Sequence, residues 1–295
     1  MLPGSSLAGC AIEALLSHRF SRRKASADSS SRPREQFVIS ALRKFFGAGS
    51  MPAREGLPEG LRIYAVGDIH GRVDLLRMIL AMIAADLDKN PCRSAVEVFL
   101  GDYIDRGPSS REVIATLLTH PAVAGERHCL RGNHEQAMLD FLHEPGVLAD
   151  WSRFGGLETL LSYGLAPRLP VSLNDARQLR DALAAALPAS HLGFLRATEL
   201  SYARGGYFFA HAGIKPGLAL EAQSEDDLLW IREPFLNSQR DHGKVIIHGH
   251  TPTEEPEVMT NRINVDTGAF LTGRLTCLVL EGQGMRFFDT RSRAA

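Results

Sequence analysis

Short hydrophobic runs alternate with helical patterns along most of the chain after residue 60. The runs predict strands that end in polar, glycine-containing segments, at residues 62–66, 95–100, 127–130, 207–210, 244–247, 263–265 and 275–281. Apolar residues recur at the spacing of one helix face after the first run, at Leu75, Leu76, Ile79, Leu80 and Ile83. Similar patterns at 109–118 and 136–142 follow the next two runs. This alternation predicts an α/β domain with polar loops at the carboxyl ends of its strands.

Helical patterns dominate between residues 144 and 200. They cover residues 157–162, 176–187 and 191–198, and segments containing glycine or proline separate them. We interpret this stretch as a helical insertion that packs beside the polar loops and shapes access to them.

The first 60 residues differ from the rest in composition. Residues 21–34 are rich in Ser, Arg and Lys with almost no large apolar side chain, so burial cannot offset the entropy of ordering them. We expect a disordered basic leader over 1–60, one folded domain over 61–290 and a tail over 291–295.

An amphipathic pattern within the leader leaves two interpretations open. Residues 37–46 combine apolar and basic positions, which is typical of a helix that contacts a membrane surface or a partner. The other interpretation is an unstructured leader. Met51 is an alternative start of translation, which the sequence does not decide.

Charge is unevenly distributed, although the whole chain has a formal net charge of −1. Residues 1–50 contain eight Lys and Arg against three Asp and Glu, and the remainder is mildly acidic. Because the folded domain lacks the strong positive charge of a nucleic-acid-binding protein, we expect no nucleic-acid partner.

Cysteine usage and hydropathy bear on the compartment. The four cysteines are far apart and form no Cys-x-x-Cys pair, which predicts reduced thiols and a cytoplasmic location. No stretch approaches the ~20 apolar residues of a membrane span, so we expect no stable membrane insertion. The apolar segment at 7–16 is interrupted by Glu13 and makes a poor signal peptide.

Polar clusters that combine Asp, Asn or His with glycine follow five of the predicted strands. Glycine lets the backbone turn sharply there, so that short side chains can reach a shared point. Carboxylate, carboxamide and imidazole groups are the ligands that hard-to-borderline divalent metals prefer. The clusters are Gly67-Asp68-Ile69-His70-Gly71, Gly101-Asp102-Tyr103-Ile104-Asp105-Arg106-Gly107, Arg131-Gly132-Asn133-His134-Glu135, His211-Ala212-Gly213 and His248-Gly249-His250-Thr251.

The spacing of these donors predicts two metal ions. Asp68 and His70 are two residues apart at a strand end, so both can reach one ion. The two oxygens of Asp102 can bridge two ions. The second ion would take Asn133, His211 and His250. Two ions about 3.5–4 Å apart can hold a hydroxide as nucleophile and neutralise a phosphoryl group.

In this order, the clusters resemble the phosphoprotein phosphatase branch of the calcineurin-like metallophosphoesterases, most closely its bacterial and phage-type serine/threonine phosphatases. The resemblance covers residues 61–290 and rests chiefly on the long second and third clusters. It implies an α/β (α+β) fold of four layers, αββα, with two mixed β-sheets between helical layers. It also implies the two ligand sets given above, with Asp102 bridging.

The same resemblance implies catalytic roles for four residues. His134 is expected to be the general acid that protonates the leaving oxygen, and Asp105 is expected to orient its imidazole. Arg106 and Arg232 are expected to bind the phosphate, because guanidinium groups suit phosphoryl oxygens.

Neighbouring residues are expected to support the centre without joining it. Pro252 stands where the wider superfamily supplies another histidine ligand, so we expect water there and His248 as a packed residue. We interpret Arg131 and Glu135 as ion-paired supports. Asp266 leaves two interpretations open, a partner for a ligand histidine and a simple turn. The two tryptophans, Trp151 and Trp230, are expected to be packing residues, with Trp230 also a candidate for the pocket rim.

We therefore expect a metal-dependent phosphatase that hydrolyses phosphoserine and phosphothreonine in proteins, and also phosphotyrosine or aryl phosphates, by in-line attack of a metal-bridging hydroxide. Mn²⁺ is the expected activating ion, with Fe or Zn²⁺ as alternatives. The physiological substrate and the oligomeric state stay open.

Two other hypotheses remain. A symmetrical diadenosine tetraphosphate hydrolase shares the first three clusters, but that family usually has Asp at the place of Glu135 and Trp at the place of Thr251. The other is a non-catalytic scaffold that binds phosphoproteins, against which the complete set of predicted ligands argues.

Overall fold

The predicted strands form two five-stranded sheets. The computed structural model describes residues 55–123, 125–167 and 170–291. The strands of the first sheet are β1 (Leu61–Val66), β2 (Ser94–Phe99), β3 (Gly125–Cys129), β9 (Thr276–Glu281) and β10 (Gly284–Asp289). Their order across the sheet is β10-β9-β1-β2-β3. Strand β1 is parallel to β2, and β2 to β3, whereas β9 is antiparallel to both of its neighbours.

The second sheet is also mixed. Its strands are β4 (Ser201–Arg204), β5 (Tyr207–Ala210), β6 (Val245–His248), β7 (Glu257–Val258) and β8 (Arg262–Asn264), and their order across the sheet is β4-β5-β6-β8-β7. The central strands β5, β6 and β8 are parallel, and antiparallel strands close both edges.

Neighbouring residues of the central strands point to opposite faces of their sheet and pack into different apolar clusters, which explains the layers of the fold. Ile63 of β1 packs in one apolar cluster with Phe209 of β5 and Ile247 of β6, so these residues fill the space between the sheets. Their chain neighbours point to the opposite faces of the sheets. Tyr64 belongs to the apolar cluster between the first sheet and the helices that cover it. Phe208 belongs to a separate apolar cluster on the outer face of the second sheet. The predicted αββα sandwich of two mixed sheets is confirmed.

Helices cover the outer faces of the sheets. Those that follow the first three strands are α1 (Val73–Lys89), α2 (Ser110–Thr119) and α3 (Asn133–His143). The next group is α4 (Leu148–Trp151), α5 (Gly156–Ser162), α6 (Leu173–Ala186) and α7 (Ala189–Ala197), with 3₁₀ turns at Pro145–Val147 and Ser152–Phe154. The last group is α8 (Glu225–Trp230), α9 (Glu233–Leu236) and α10 (Ala269–Thr272), with a 3₁₀ turn at Leu220–Ala222.

Two features of the fold differ from the sequence prediction. Strands β4, β7 and β10 were not predicted, because they are short or half-exposed and lack a strong apolar pattern. Helix α3 begins at Asn133, earlier than the apolar spacing predicts. The Glu135 side chain accepts a hydrogen bond from the Gly132 backbone N–H (2.9 Å), which satisfies a donor at the start of the helix. Asn133 and His134 therefore lie in its first turn.

Several predictions fall outside the described residues. These are the amphipathic pattern at 37–46, the leader up to residue 54, and the tail beyond residue 291. None of the described helices is both long and apolar enough to cross a membrane.

A histidine joins the edges of the two sheets. His128 of β3 contacts Glu126 through Nε2 and Glu199 through Nδ1, both at 2.8 Å, and its ring stacks on Tyr202 of β4 at 3.8 Å between centroids. Burial lowers the pKa of His128, but hydrogen bonds to the two glutamates outweigh that effect and raise it above 6.5.

We expect this contact to stabilise the fold only at low pH. A raised folded-state pKa gives stability that is complete below the unfolded-state pKa and is lost as the pH rises through the folded-state value. His128→Gln should therefore lower the Tm more at about pH 6 than at about pH 9. High salt should shrink the deficit at the lower pH, because the glutamates are exposed. Equal deficits at both pH values would contradict the assignment.

Candidate metal centre and active site

The six predicted metal ligands meet at one edge of the sandwich. Asp68 and His70 follow β1, Asp102 follows β2, and Asn133 opens α3 after β3. His211 follows β5 and His250 follows β6 in the second sheet. These strands are parallel within each sheet, so their carboxyl ends point the same way. All six side chains are at most 7% exposed.

Unusual backbone conformations mark the same loops. Among the described residues, positive φ outside glycine occurs only at predicted site residues: His70 (45°), Asp102 (51°), Asp105 (70°), Arg106 (65°) and His250 (66°). Such conformations cost about 1–3 kcal/mol each and persist where the surrounding structure enforces them. The fold therefore gives up stability to aim these side chains at a common point.

Asp102 occupies the middle of the cluster. His70 Nε2 lies 3.4 Å from its Oδ2, and His211 Nε2 lies 3.5 Å from its Oδ1. Two groups of candidate ligand atoms share Asp102, one with His70 and His134 and one with His211 and His250, and the atoms of each group lie within 4.8 Å of one another. A carboxylate in this position could serve two ions.

Backbone carbonyls fix which nitrogen of two histidines faces the cluster. His70 Nδ1 is 2.9 Å from the Ile104 carbonyl oxygen, and His211 Nδ1 is 2.9 Å from that of Leu100. Because a carbonyl only accepts, each Nδ1 must donate, and each neutral ring turns its Nε2 lone pair inward. Burial is the main cause that lowers the pKa of both rings, that of His70 to about 3.

Two acceptor atoms then face one another without a proton between them, Asn133 Oδ1 and His211 Nε2, which are 3.0 Å apart. His250 Nδ1 lies 2.9 Å from the same Asn133 oxygen. Burial lowers the pKa of His250 to about 2, so this ring is also neutral. Converging oxygen and nitrogen lone pairs in a buried space fit a cation.

A buried carboxylate oxygen without a hydrogen-bond partner supports the same conclusion. Asp68 Oδ2 accepts from the His250 backbone N–H (3.0 Å), whereas Asp68 Oδ1 is buried and has no partner. Gly249 makes room for this oxygen, since a Cβ there would lie 2.1 Å from it. Burial and the neighbouring Asp266 and Asp102 raise the pKa of Asp68. The donor set fits divalent cations, which would neutralise these carboxylates.

The predicted general acid forms a buried pair with its predicted partner. His134 Nδ1 lies 2.6 Å from Asp105 Oδ2, and both residues are at most 2% exposed. Burial alone lowers the pKa of His134, but the Asp102 and Asp105 carboxylates outweigh it and raise the pKa to about 9. A protonated imidazole in this position is a proton donor at neutral pH.

The two predicted phosphate-binding arginines flank the cluster on different sides. Arg106 Nη2 lies 3.3 Å from His134 Nε2, and its guanidinium carbon stands 4.8 Å from the ring centre of Phe270. Arg232 Nε lies 3.1 Å from His250 Nε2. Both side chains retain contact with solvent, so an incoming anion can reach them.

Supporting residues differ in part from the predictions. Arg131 pairs with Glu225 at 3.4 Å, but Glu135 accepts from the backbone N–H groups of Asp102 and Tyr103 at 2.9 and 2.8 Å. Glu135 thus fixes the turn that carries Asp102 through backbone hydrogen bonds, whereas the sequence predicted an ion pair for this residue. His248 is buried against Phe235, with ring centroids 5.0 Å apart.

The interpretation of Trp151 as a packing residue was incomplete. Its indole N–H donates to Asp105 Oδ2 at 2.7 Å. Thr159, which the sequence did not single out, donates to Asp105 Oδ1 at 2.6 Å. Trp230 is 41% exposed and lies near Phe154 at the rim, with ring centroids 6.2 Å apart.

Comparison with known families agrees with this geometry. The model of the calcineurin-like phosphoesterase family matches residues 61–271, the stretch that carries every predicted ligand. The chain belongs to this family. It is a metallophosphoesterase, as the resemblance of its clusters implies, and the family identification is confirmed.

Bacterial phosphatases are among the relatives of this metallophosphoesterase. It is 29% identical over 225 residues to serine/threonine-protein phosphatase 2 of Escherichia coli K12, which covers 72% of the chain and 90% of the relative. It is 30% identical over 222 residues to serine/threonine-protein phosphatase 1 of Salmonella typhimurium LT2, covering 72% and 89%. An asymmetrical bis(5'-nucleosyl)-tetraphosphatase of Bacillus velezensis is 29% identical over 229 residues, covering 72% and 86%.

Solved structures share the fold of this metallophosphoesterase. One described as a putative diadenosine tetraphosphatase superposes with a TM-score of 0.55 at 19% identity, covering 81% of this chain and 96% of that one. A cold-active protein tyrosine phosphatase gives a TM-score of 0.52 at 19% identity, covering 80% and 78%. At this identity the likeness concerns the fold alone.

Proposed function

We propose that this metallophosphoesterase is a phosphoprotein phosphatase that hydrolyses phosphoserine and phosphothreonine with two divalent ions. The observation that carries the proposal is the position of the buried His134–Asp105 pair, at 2.6 Å, between the shared carboxylate Asp102 and the guanidinium of Arg106. The names of the Escherichia coli and Salmonella relatives support the substrate class. Mn²⁺ is the proposed activating ion.

Each group has a distinct part in the proposed reaction. When bound, divalent ions would supply a water of lowered pKa as nucleophile and offset phosphoryl charge. Asp68, His70 and Asp102 would hold one ion, and Asn133, His211 and His250 the other. Arg106 and Arg232 bind the phosphoryl oxygens.

His134 then acts on the leaving group. The bond between phosphorus and the serine or threonine oxygen breaks as a bond from water oxygen to phosphorus forms. His134 Nε2 gives its proton to the departing oxygen, and Asp105 holds the opposite ring nitrogen. The products are inorganic phosphate and the protein hydroxyl group.

Aromatic side chains at the rim also favour acceptance of aryl phosphates. Phe154 lies 6.3 Å from the His134 ring centre, and Trp230 lies 6.3 Å from that of His250. Both are about 40% exposed. A leaving group that departs past His134 would meet these rings, and we propose phosphotyrosine as a further substrate of the same site.

Hydrolysis of dinucleoside tetraphosphates is the second candidate. The tetraphosphatase relative from Bacillus velezensis favours it, but Glu135 and Thr251 depart from the symmetrical hydrolases as described above. The non-catalytic scaffold is the least favoured hypothesis, because the acid and all predicted ligands are present and buried together. Free thiols at Cys92, Cys129 and Cys277 support the proposed cytoplasmic location.

A substrate comparison tests the proposal. With Mn²⁺, the kcat/KM for a phosphoserine peptide should exceed that for diadenosine tetraphosphate by at least about tenfold, a difference of about 1.4 kcal/mol. Hydrolysis of p-nitrophenyl phosphate should stop on chelation and return with added metal. A preference for the dinucleotide would replace the proposal with the second candidate, and metal-independent or absent hydrolysis would refute the two-metal phosphatase.

A further inference from the structure

Asp105 draws its hydrogen bonds from two parts of the chain that are distant in sequence. Besides His134, its carboxylate accepts from Trp151 Nε1 (2.7 Å) on one oxygen and from Thr159 Oγ1 (2.6 Å) on the other. The backbone N–H of Asp105 in turn donates to Thr159 Oγ1 (2.9 Å). Trp151, Thr159 and Asp105 are at most 1% exposed.

We call residues 151–159 the docking segment, because their backbone also contacts the turn that carries Asp105 and Arg106. The Arg106 backbone N–H donates to the Gly155 carbonyl at 3.1 Å, and Arg106 Nε donates to the Phe154 carbonyl at 3.4 Å. Gly155 has φ of 99°, and a Cβ there would lie 2.6 Å from the Arg106 nitrogen. A side chain at this position would therefore push the docking segment away.

We infer that Trp151 and Thr159 are positioning residues for the general acid, and that the docking segment holds His134 in line with the leaving oxygen through Asp105. The inference rests on the proposed function, in which His134 protonates that oxygen. The docking segment belongs to the region expected to be a helical insertion, and this role goes beyond shaping access to the site.

Geometry explains why two extra donors matter. A carboxylate bonded to one histidine can still rotate about its terminal torsion, which is a broad, two-fold one. Thr159 on Oδ1 and Trp151 on Oδ2 fix the carboxylate plane, and that plane sets the direction of the His134 ring. Ser110 Oγ, 2.9 Å from Thr159 Oγ1, completes the network and fixes the hydroxyl itself.

A positioning role predicts a dependence on the leaving group. A serine alkoxide is a strong base and must be protonated as it departs, whereas p-nitrophenolate is a weak base and needs little help. Thr159→Val keeps the side-chain volume but removes the donor. It should lower kcat for a phosphoserine peptide about 10-fold or more, lower kcat for p-nitrophenyl phosphate less than about 3-fold, and leave KM for both unchanged.

Matched variants separate positioning from general damage to the fold. Thr159→Ser retains the hydroxyl and should restore kcat for the peptide. Trp151→Phe removes the second donor and should show the same selective loss. Tyr163→Phe deletes another buried hydroxyl close by, one bonded to His191 at 2.8 Å, and should leave both rates near those of wild type. Equal losses on both substrates, no loss in Thr159→Val, or no rescue by serine would overturn the inference.

A spectroscopic readout tests the inference without turnover. The 2.6 Å contact between His134 and Asp105 predicts a low-field Nδ1 proton resonance in a ¹⁵N-histidine-labelled sample, assigned by its absence in His134→Asn. This resonance should move upfield or vanish in Thr159→Val and persist in Tyr163→Phe. An unchanged resonance in Thr159→Val would reject the positioning role.

The same measurements keep the two proposals distinguishable. If the wild-type protein releases no phosphate from phosphopeptides, the proposed function fails. The positioning role is then still decided by the resonance, and by the comparison of glycerol 2-phosphate with p-nitrophenyl phosphate.

Discussion

Replacement of His134 by asparagine should lower the turnover of a phosphoserine peptide by about 10²–10⁴-fold, the range typical of a lost general acid. Asparagine cannot protonate the leaving oxygen, although it can keep a hydrogen bond to Asp105. Turnover of p-nitrophenyl phosphate should fall much less, because its leaving group needs little protonation. Steady-state kinetics with both substrates measures the difference.

Metal content decides between two roles that the geometry permits for His134. Its Nε2 is only 3.7 Å from Asp102 Oδ2, close enough for a ligand of the same ion as His70. If His134 is the acid, the His134→Asn variant should bind as much metal as the wild-type protein. If His134 is a metal ligand, the variant should bind less. Elemental analysis of His134→Asn therefore accompanies the kinetics. His191→Gln, a change at a buried histidine bonded to Tyr163, should retain both turnover and metal. Loss of metal from His134→Asn would contradict the assignment of His134 as the general acid.

Replacement of Asp102 by asparagine should remove more activity than any other single ligand change. The side chain keeps its shape and can still accept from the His134 backbone N–H, now 3.2 Å from Asp102 Oδ1, so the fold should survive. The shared negative charge is lost, and both ions should bind more weakly. Because metal supplies several kcal/mol of transition-state stabilisation, turnover should fall by at least about 10³-fold.

Thermal unfolding provides a second measurement for the Asp102 variant. An ion at 100 times its Kd stabilises the native state by about 2.7 kcal/mol per site. For a domain of this size, that corresponds to a rise in Tm of about 5–10 °C per site. Added Mn²⁺ should therefore raise the Tm of the wild-type protein and raise that of Asp102→Asn much less. Asp140→Asn, an exposed change on α3, should behave like wild type. Two tightly bound ions in Asp102→Asn would show that the carboxylate is not shared.

The convergence of the predicted ligands could be foreseen from the sequence, because each lies within two residues of a glycine and shortly after a predicted strand. The role predicted for His134 came from the family resemblance. Parallel strands bring such ends to one edge, and no knowledge of long-range contacts is required. The fold class followed from the same rhythm. The edge strands of the second sheet could not be predicted from the apolar pattern, because β7 has only two residues and β4 is half-exposed.

Residues that act through other residues could not be predicted in this way. Trp151 and Thr159 reach Asp105 from 46 and 54 positions away, and a tryptophan in an apolar stretch is usually a packing residue. The backbone role of Glu135 was also hidden, because its partners are N–H groups that every residue carries. Only the tertiary structure identifies these contacts.

The donors of the metal centre are spread from Asp68 to His250, and this order has a consequence for synthesis on the ribosome. A nascent chain that has emerged through Asp102 already has the carboxylates and one histidine, but the last imidazole arrives only when most of the protein has been translated. All six donors are therefore present only once residue 250 has been translated, when strands β7, β8, β9 and β10 are still missing. A truncated product that ends before residue 250 lacks one of the donors of the second candidate site.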